Sequence, residues 1–223
     1  MLPLTGEKRL GRPALTAAQL RQRKQSILDV TLTVVAGQGA GAVRLRDVAQ
    51  TAGVSIGALQ HYFDSRDQLI REAFDQHARY VVETIEKADD PAAEPWPRLA
   101  AMFDVVAGKP DFTRRCALWI EFAAAAQHDR QLRDLMDGAY EAWRTMLRAV
   151  IDAGVRAKAF QPVLPPDAVV ACLLALIDGF ELAVTIEACG AKPAAIVEQL
   201  TATARVLLGA EPGRPLRLAG SPR

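Results

Sequence analysis

A chain of 223 residues, half of them hydrophobic and about a quarter charged, can bury a core without a disulfide or a metal to staple it. The three cysteines, Cys116, Cys172 and Cys189, form no C-x-x-C pair and sit among apolar residues, the pattern of small buried hydrophobes in a reducing compartment rather than of a redox or metal site. The net charge of +1 excludes nothing by itself, but residues 1–70 hold nine Lys and Arg against five acids, +4, which leaves −3 for the rest. A polyanion-binding segment joined to a neutral domain has this asymmetry, and so does a solvated basic tail.

The first fifteen residues, "MLPLTGEKRLGRPAL", mix Pro, Gly and basic residues without apolar periodicity and read as a flexible basic arm. No charged, apolar, small-residue leader opens the chain, so a cytoplasmic protein is expected. Thr16 offers an N-cap, after which Leu20, Ile27, Leu28, Leu32 and Val35 recur at helical spacing as far as Gly37 and Gly39. "RLRDVAQTAG" reads as a two-turn helix closed by Gly53, and "SIGALQHYF" as a second short helix capped by Ser55. A third, capped by Ser65 or Asp64, runs from about Arg66 to Lys87 through Leu69, Ile70, Phe74 and Val81. "DDPAAEPWP", residues 89–97, breaks the pattern. Beyond it the spacing predicts helices over 94–107, 111–128, 131–158, 166–189 and 193–208, separated by Pro- and Gly-bearing segments. The longest apolar run, "AVVACLLALI" (168–177), is about half the length of a membrane span and is stopped by Asp178. It reads as a buried helix, and no membrane partner is expected. No segment alternates as a strand does, so the fold class is all-α.

Residues 44–63 have the form of a helix-turn-helix. Ala49 is small where two helices cross, Gly53 can take the left-handed turn and Val54 fills the space between the helices. Ser55 caps the second helix, whose free N–H groups then face phosphate or groove. An ordinary αα-hairpin would share the Ala-x-x-x-Gly-Val spacing. The flanks go further: "RDVAQTAGVSIGALQHYFDSRDQL" (46–69) resembles the TetR family of bacterial transcriptional regulators, whose pattern runs R-D-I-A-x-x-A-G-V-S-x-G-x-L-Y-x-Y-F-x-S-K-x-x-L. The resemblance starts near Arg21 and keeps glycine, serine, aromatic and basic positions in register over three helices.

The resemblance implies an N-terminal three-helix DNA-binding domain (16–65), a connecting helix (66–87) and a larger ligand-binding and dimerisation domain (88–208); the end of the chain, 209–223, has the composition of a disordered tail. Carried over by position, it makes Arg44, Ser55, Tyr62 and Arg66 phosphate contacts, and puts Ile56, Ala58, Gln60 and His61 on the face that can touch bases. Gly57 is the small position that lets the helix lie close to the DNA, while Leu59 and Phe63 are core. The arm residues Lys8, Arg9 and Arg12 can enter an adjacent minor groove. Two positions depart from the family. Arg44 stands where a Thr is usual, and Gln60, a side chain able to pair with adenine, where a Tyr is usual.

One such module reads few base pairs, so a homodimer on a palindromic double-stranded operator is expected. In the apolar helix 166–189, Ala171, Ala175, Gly179 and Ala183 form a small-residue stripe that permits close helix packing, unless a monomer buries that helix in its own core. "LWIEFAAAAQHDRQLRDL" (118–135) and "LIDGFEL" (176–182) are similar, more loosely, to regulatory domains of the choline-responsive, betaine-synthesis branch of the same family. That family binds small-molecule effectors in this domain, and the aromatic candidates are Phe103, Trp119, Phe122, Tyr140, Trp143 and Phe180. Trp119 with Glu121 on one helix would suit an amine or other cation. Coupling would follow from helix 66–87, which belongs to both regions.

An enzyme is not expected. His61, His77 and His128 lack metal-ligand spacing, no G-x-S-x-G, P-loop or G-x-G-x-x-G occurs, and no metal or cofactor is implied. The reading is a DNA-binding repressor released by a small molecule; the alternative is a helical protein-interaction adaptor.

Overall fold

The computed structural model describes residues 16–188 and 192–209. The expected arm with Lys8, Arg9 and Arg12, nearly all of the expected tail, and Cys189 lie outside them.

Nine α-helices and a 3-10 turn make up the described residues, with no strand among them: α1 (Ala17–Gln38), the 3-10 turn (Ala40–Ala42), α2 (Leu45–Thr51), α3 (Ile56–Gln60), α4 (Arg66–Ala88), α5 (Pro95–Ala107), α6 (Phe112–Ala126), α7 (Arg130–Arg156), α8 (Pro166–Thr185) and α9 (Pro193–Leu208). The starts of α1, α3, α4 and α7 are marked by side chains that satisfy the free N–H groups of a first turn, while α5, α8 and α9 open with Pro in the first turn. Thr16 and Gln19 form a capping box on α1, Ser65 accepts from the Gln68 N–H at α4, and Asp129 accepts from the Leu132 N–H at α7. Ser65, not Asp64, is thus the cap of α4.

α8 stops four residues short of the expected 189. Its last turn ends at Thr185, and Glu187 takes a left-handed φ of 53°, so the chain turns without a Gly or Pro to mark the place. By length and apolar composition alone α8 could cross a membrane. Here it packs against α6, α7 and α9, with Val169, Val170, Leu173, Leu174, Ile177 and Val184 buried.

Two apolar cores result. The head core joins α1, α2, α3 and the first half of α4 (Leu69, Ile70, Ala73, Phe74) to Leu118, Phe122 and Ala126 of α6 and Leu132, Met136 and Ala139 of α7. The regulatory core joins Ile85 of α4 to α5, the start of α6, the second half of α7, α8 and α9. Three helices, α4, α6 and α7, therefore contribute to both cores, where sequence alone suggested one connector.

Candidate nucleic-acid interface and internal cavity

The turn of the helix-turn-helix is built from local signals. Val48 and Ala49 of α2 are buried, Gly53 has a φ of 64°, and the Val54 N–H donates to the Ala49 carbonyl at 2.9 Å. A left-handed φ favours glycine at that point. Ser55 then accepts from the Ala58 N–H at 3.1 Å and opens α3. Leu59 and Phe63 are fully buried, and they fix which face of α3 is turned outward. That face carries Ile56, Gly57 and Gln60, all exposed, with His61 exposed just beyond and Ala58 half-buried. Ile56, 43% exposed, is a large apolar side chain projecting into solvent. Apart from its chain neighbours and its own helix backbone, no atom lies within 4 Å of where a Cβ on Gly57 would sit, and its φ is not left-handed, so packing against the rest of the described chain does not require glycine there. Arg44, the N-cap residue of α2, is exposed; Tyr62 packs half-buried on the head core, edge-on to His61.

Arg66 does something other than wait for a phosphate. Its Nε donates to the Val43 carbonyl at 2.8 Å, one terminal nitrogen donates to the Ala40 carbonyl, and the other pairs with Asp67 at 2.9 Å. The guanidinium is an internal strut that ties the start of α4 to the segment before α2.

A cavity of about 60 Å³ lies inside the second domain, bounded by α4, α5, α6, α7 and α8, room for a few water molecules. Trp119, Tyr140 and Trp143 line it, as the sequence suggested. The other four candidates lie elsewhere. Phe103 is in the regulatory core, Phe122 stacks edge-on with Phe74 at 5.1 Å in the head core, and Phe180 packs beside the regulatory core. Glu121 turns away and accepts from the Ala40 N–H at 2.9 Å, because residues two apart on a helix point about 200° apart.

The acids of the cavity are instead Asp178 and Glu181 of α8. Both interrupt the apolar run of the helix at i, i+3 spacing, a signal legible in the sequence. Asp178 accepts from the Tyr140 hydroxyl at 2.7 Å. Burial still pushes the Asp178 carboxyl up, and burial together with the bond to Asp178 pushes the Tyr140 hydroxyl up. The Glu181 carboxyl has no hydrogen-bond partner among the described residues; burial, then Asp178, pushes it up to about 8 against a smaller opposing pull from Arg115. Also in the lining, His77 is pushed down to about 4 by burial and then by Arg115 and Arg114, so it is neutral at ordinary pH. Arg115 is buried, donates to the Val105 and Val106 carbonyls and closes the end of α5. Aromatic walls around an unpartnered acid form a chamber suited to a small cation.

The small-residue stripe lies on the outer face of α8. Ala171, Ala175 and Gly179 are exposed and Ala183 is half-buried, flanked by exposed Leu182 and Ile186 and by Val206 of α9.

Residues 27–73 match the family model for bacterial regulatory proteins of the tetR family, and residues 95–209 match that for the C-terminal domain of BetI-type transcriptional repressors. The HTH-type transcriptional regulator PksA of Bacillus subtilis is 27% identical over 130 residues, covering 56% of this chain and 62% of its own. The HTH-type transcriptional regulator BetI of Rhizobium meliloti is 30% identical over 115 residues, covering 51% and 57%. The chain thus spans about three-fifths of the length of these two relatives. A transcriptional regulator from Saccharomonospora viridis, solved in complex with choline, shares the fold with a TM-score of 0.76 at 21% identity, over 82% of this chain and 95% of that one. A head with this turn, this buried Leu59–Phe63 pair and this second domain, matched by both models, belongs to the TetR family of bacterial regulatory proteins, with a C-terminal domain of the BetI repressor type.

Proposed function

We propose that the protein is a DNA-binding transcriptional repressor that sits as a homodimer on a double-stranded operator with two half-sites and is released by a small cationic effector. The observation that carries the reading is the outer face of α3. Ile56, Gly57 and Gln60 project from a helix whose inner side is locked by Leu59, and no side chain beyond Gly57's Cα keeps a groove at a distance. In this reading Gln60 and His61 touch base edges, while Arg44, Ser55 and Tyr62 hold phosphates. Arg66 acts indirectly, through Ala40 and Val43.

The exposed stripe of Ala171, Ala175 and Gly179 with Leu182, Ile186 and Val206 supports pairing of α8 and α9 across a two-fold axis. The effector reading rests on Glu181 and Asp178 facing Trp119, Tyr140 and Trp143, and draws support from the choline bound by the S. viridis neighbour.

The full chain should enrich a specific duplex with two half-sites from a random-sequence pool, and choline or a related amine should raise its melting temperature and weaken that complex. Enrichment of no sequence, with salt-insensitive retention, would overturn the DNA-binding reading. A flat thermal-shift response to amines and quaternary ammonium ions would overturn the cationic effector alone.

A further inference from the structure

Ala40, in the 3-10 turn just before α2, is gripped from two sides. Its N–H donates to Glu121 Oε2 at 2.9 Å, from α6, and its carbonyl accepts from the guanidinium of Arg66, the first residue of α4. The same guanidinium reaches the Val43 carbonyl, and the Val43 side chain is buried in the head core. The turn is also shaped for this grip. Gly39 has a φ of 83°, and a Cβ there would stand 2.9 Å from Glu121 Oε2, so glycine supplies both the turn and the room for the carboxylate.

Glu121 also sits where cavity and head meet. Trp119, two residues earlier on α6, faces the cavity, as do Phe112 and Arg115 of the same helix. A ligand that fills more than the roughly 60 Å³ now free presses on the walls, Trp119 among them. A rigid α6 that yields at Trp119 carries Glu121 with it, and Ala40 is five residues before α2.

We infer that Glu121 is a positioning residue for operator binding: its bond to the Ala40 N–H fixes the angle of the reading head on the regulatory domain and delivers displacements of α6 to that head. The bond stands by itself; its functional consequence rests on the dimeric, DNA-binding reading above. With the 3-10 turn held to α6, two half-sites are read at one spacing; with the bond cut, the turn and the α2 that follows it gain play against α6 while the shared core stays packed, and the spacing requirement relaxes.

The test uses the full chain and its Glu121→Ala and Glu121→Gln variants, Gln keeping a carbonyl acceptor for the Ala40 N–H. Amide hydrogen exchange at Ala40 should be slow in the wild type and in Glu121→Gln, and at least about tenfold faster in Glu121→Ala. Equal exchange in all three overturns the bond. On the duplex that the wild type selects, Glu121→Ala should bind about tenfold more weakly and lose less than the wild type when one or two base pairs are inserted between half-sites, with Glu121→Gln restoring the wild-type penalty. A Glu121→Ala protein with the wild-type spacing penalty overturns the positioning role. Gly154→Ala, which crowds Phe160 in the regulatory core, controls for lowered stability and should leave the penalty unchanged; if it relaxes spacing equally, the role of Glu121 is refuted. Should the wild type select only single sites, the dimer reading fails, and Ala40 exchange together with single-site affinity decides the inference.

Discussion

Replacing Glu181 by Gln keeps the shape of the cavity wall and removes a titrating group from it. The native carboxyl titrates at about 8, pushed up by burial and by Asp178, against an ordinary value of 4.5. Between those values the folded protein holds a proton that the unfolded chain has lost, so stability falls as pH rises. Each pH step costs about 1.4 kcal/mol, and the full interval sets a ceiling of about 5 kcal/mol. Glu181 keeps partial exposure, so about half of that is expected. His77, titrating at about 4 against an ordinary 6.5, works the other way: the unfolded chain holds the extra proton, and stability rises with pH up to 6.5. The two slopes oppose each other below about pH 6.5, which leaves the decline from about 6.5 to 8 to Glu181, roughly 1–2 kcal/mol. Urea unfolding at fixed protomer concentration across this range should show the decline in the wild type and a flat profile in Glu181→Gln. A bound cation favours the carboxylate, so choline should bind the wild type more tightly toward pH 8, and Glu181→Gln should lose that dependence. If Glu181→Gln unfolds with the wild-type slope, the carboxyl is already ionised in the folded protein, and the account of the cavity is wrong.

Four further substitutions separate roles within the head and the second core. Gln60→Ala should change which base is preferred at one operator position, whereas Tyr62→Phe, which spares the ring's packing, should weaken all sequences alike and flatten the salt dependence by about one phosphate contact, both read by fluorescence anisotropy across a salt series. Arg66→Ala should lower thermal stability through the bonds lost to Ala40 and Val43 and leave the salt slope unchanged; a slope reduced by about one would return Arg66 to the phosphates. Gly154→Ala should cost about 1–3 kcal/mol of unfolding free energy by chemical denaturation, because a Cβ there would stand 2.0 Å from the Phe160 ring. An unchanged midpoint would mean that the ring moves aside freely.

What could be read in the sequence was what neighbours in the chain decide. Gly53, Val54 and Ser55 form their turn and cap through partners within five residues, and Leu59 and Phe63 declare themselves core by spacing. The internal bonds of Arg66 are not legible in the sequence because its carbonyl partners lie 23 and 26 residues away, and a basic residue expected at a phosphate looks the same when it binds the protein's own backbone. Proximity to Trp119 in sequence suggests the cavity for Glu121, but helix geometry sends the two to different faces, and its partner lies 81 residues away, beyond what local pattern conveys. The acids that do line the cavity, Asp178 and Glu181, are set apart by the apolar helix that carries them. The end of α8 depends on a left-handed Glu187, a conformation that no residue type there announces.

Because α4, α6 and α7 run through both cores, the head is not a cassette. A fragment ending at Ala88 would leave Phe74 without Phe122 and expose the surface that Leu118, Leu132 and Met136 cover. A chimaera that joins this head to a foreign sensor therefore has to import the packing face of α6 and α7 along with α1–α4. Recombination between regulators of this build succeeds or fails at that internal seam, well away from both the DNA and the cavity.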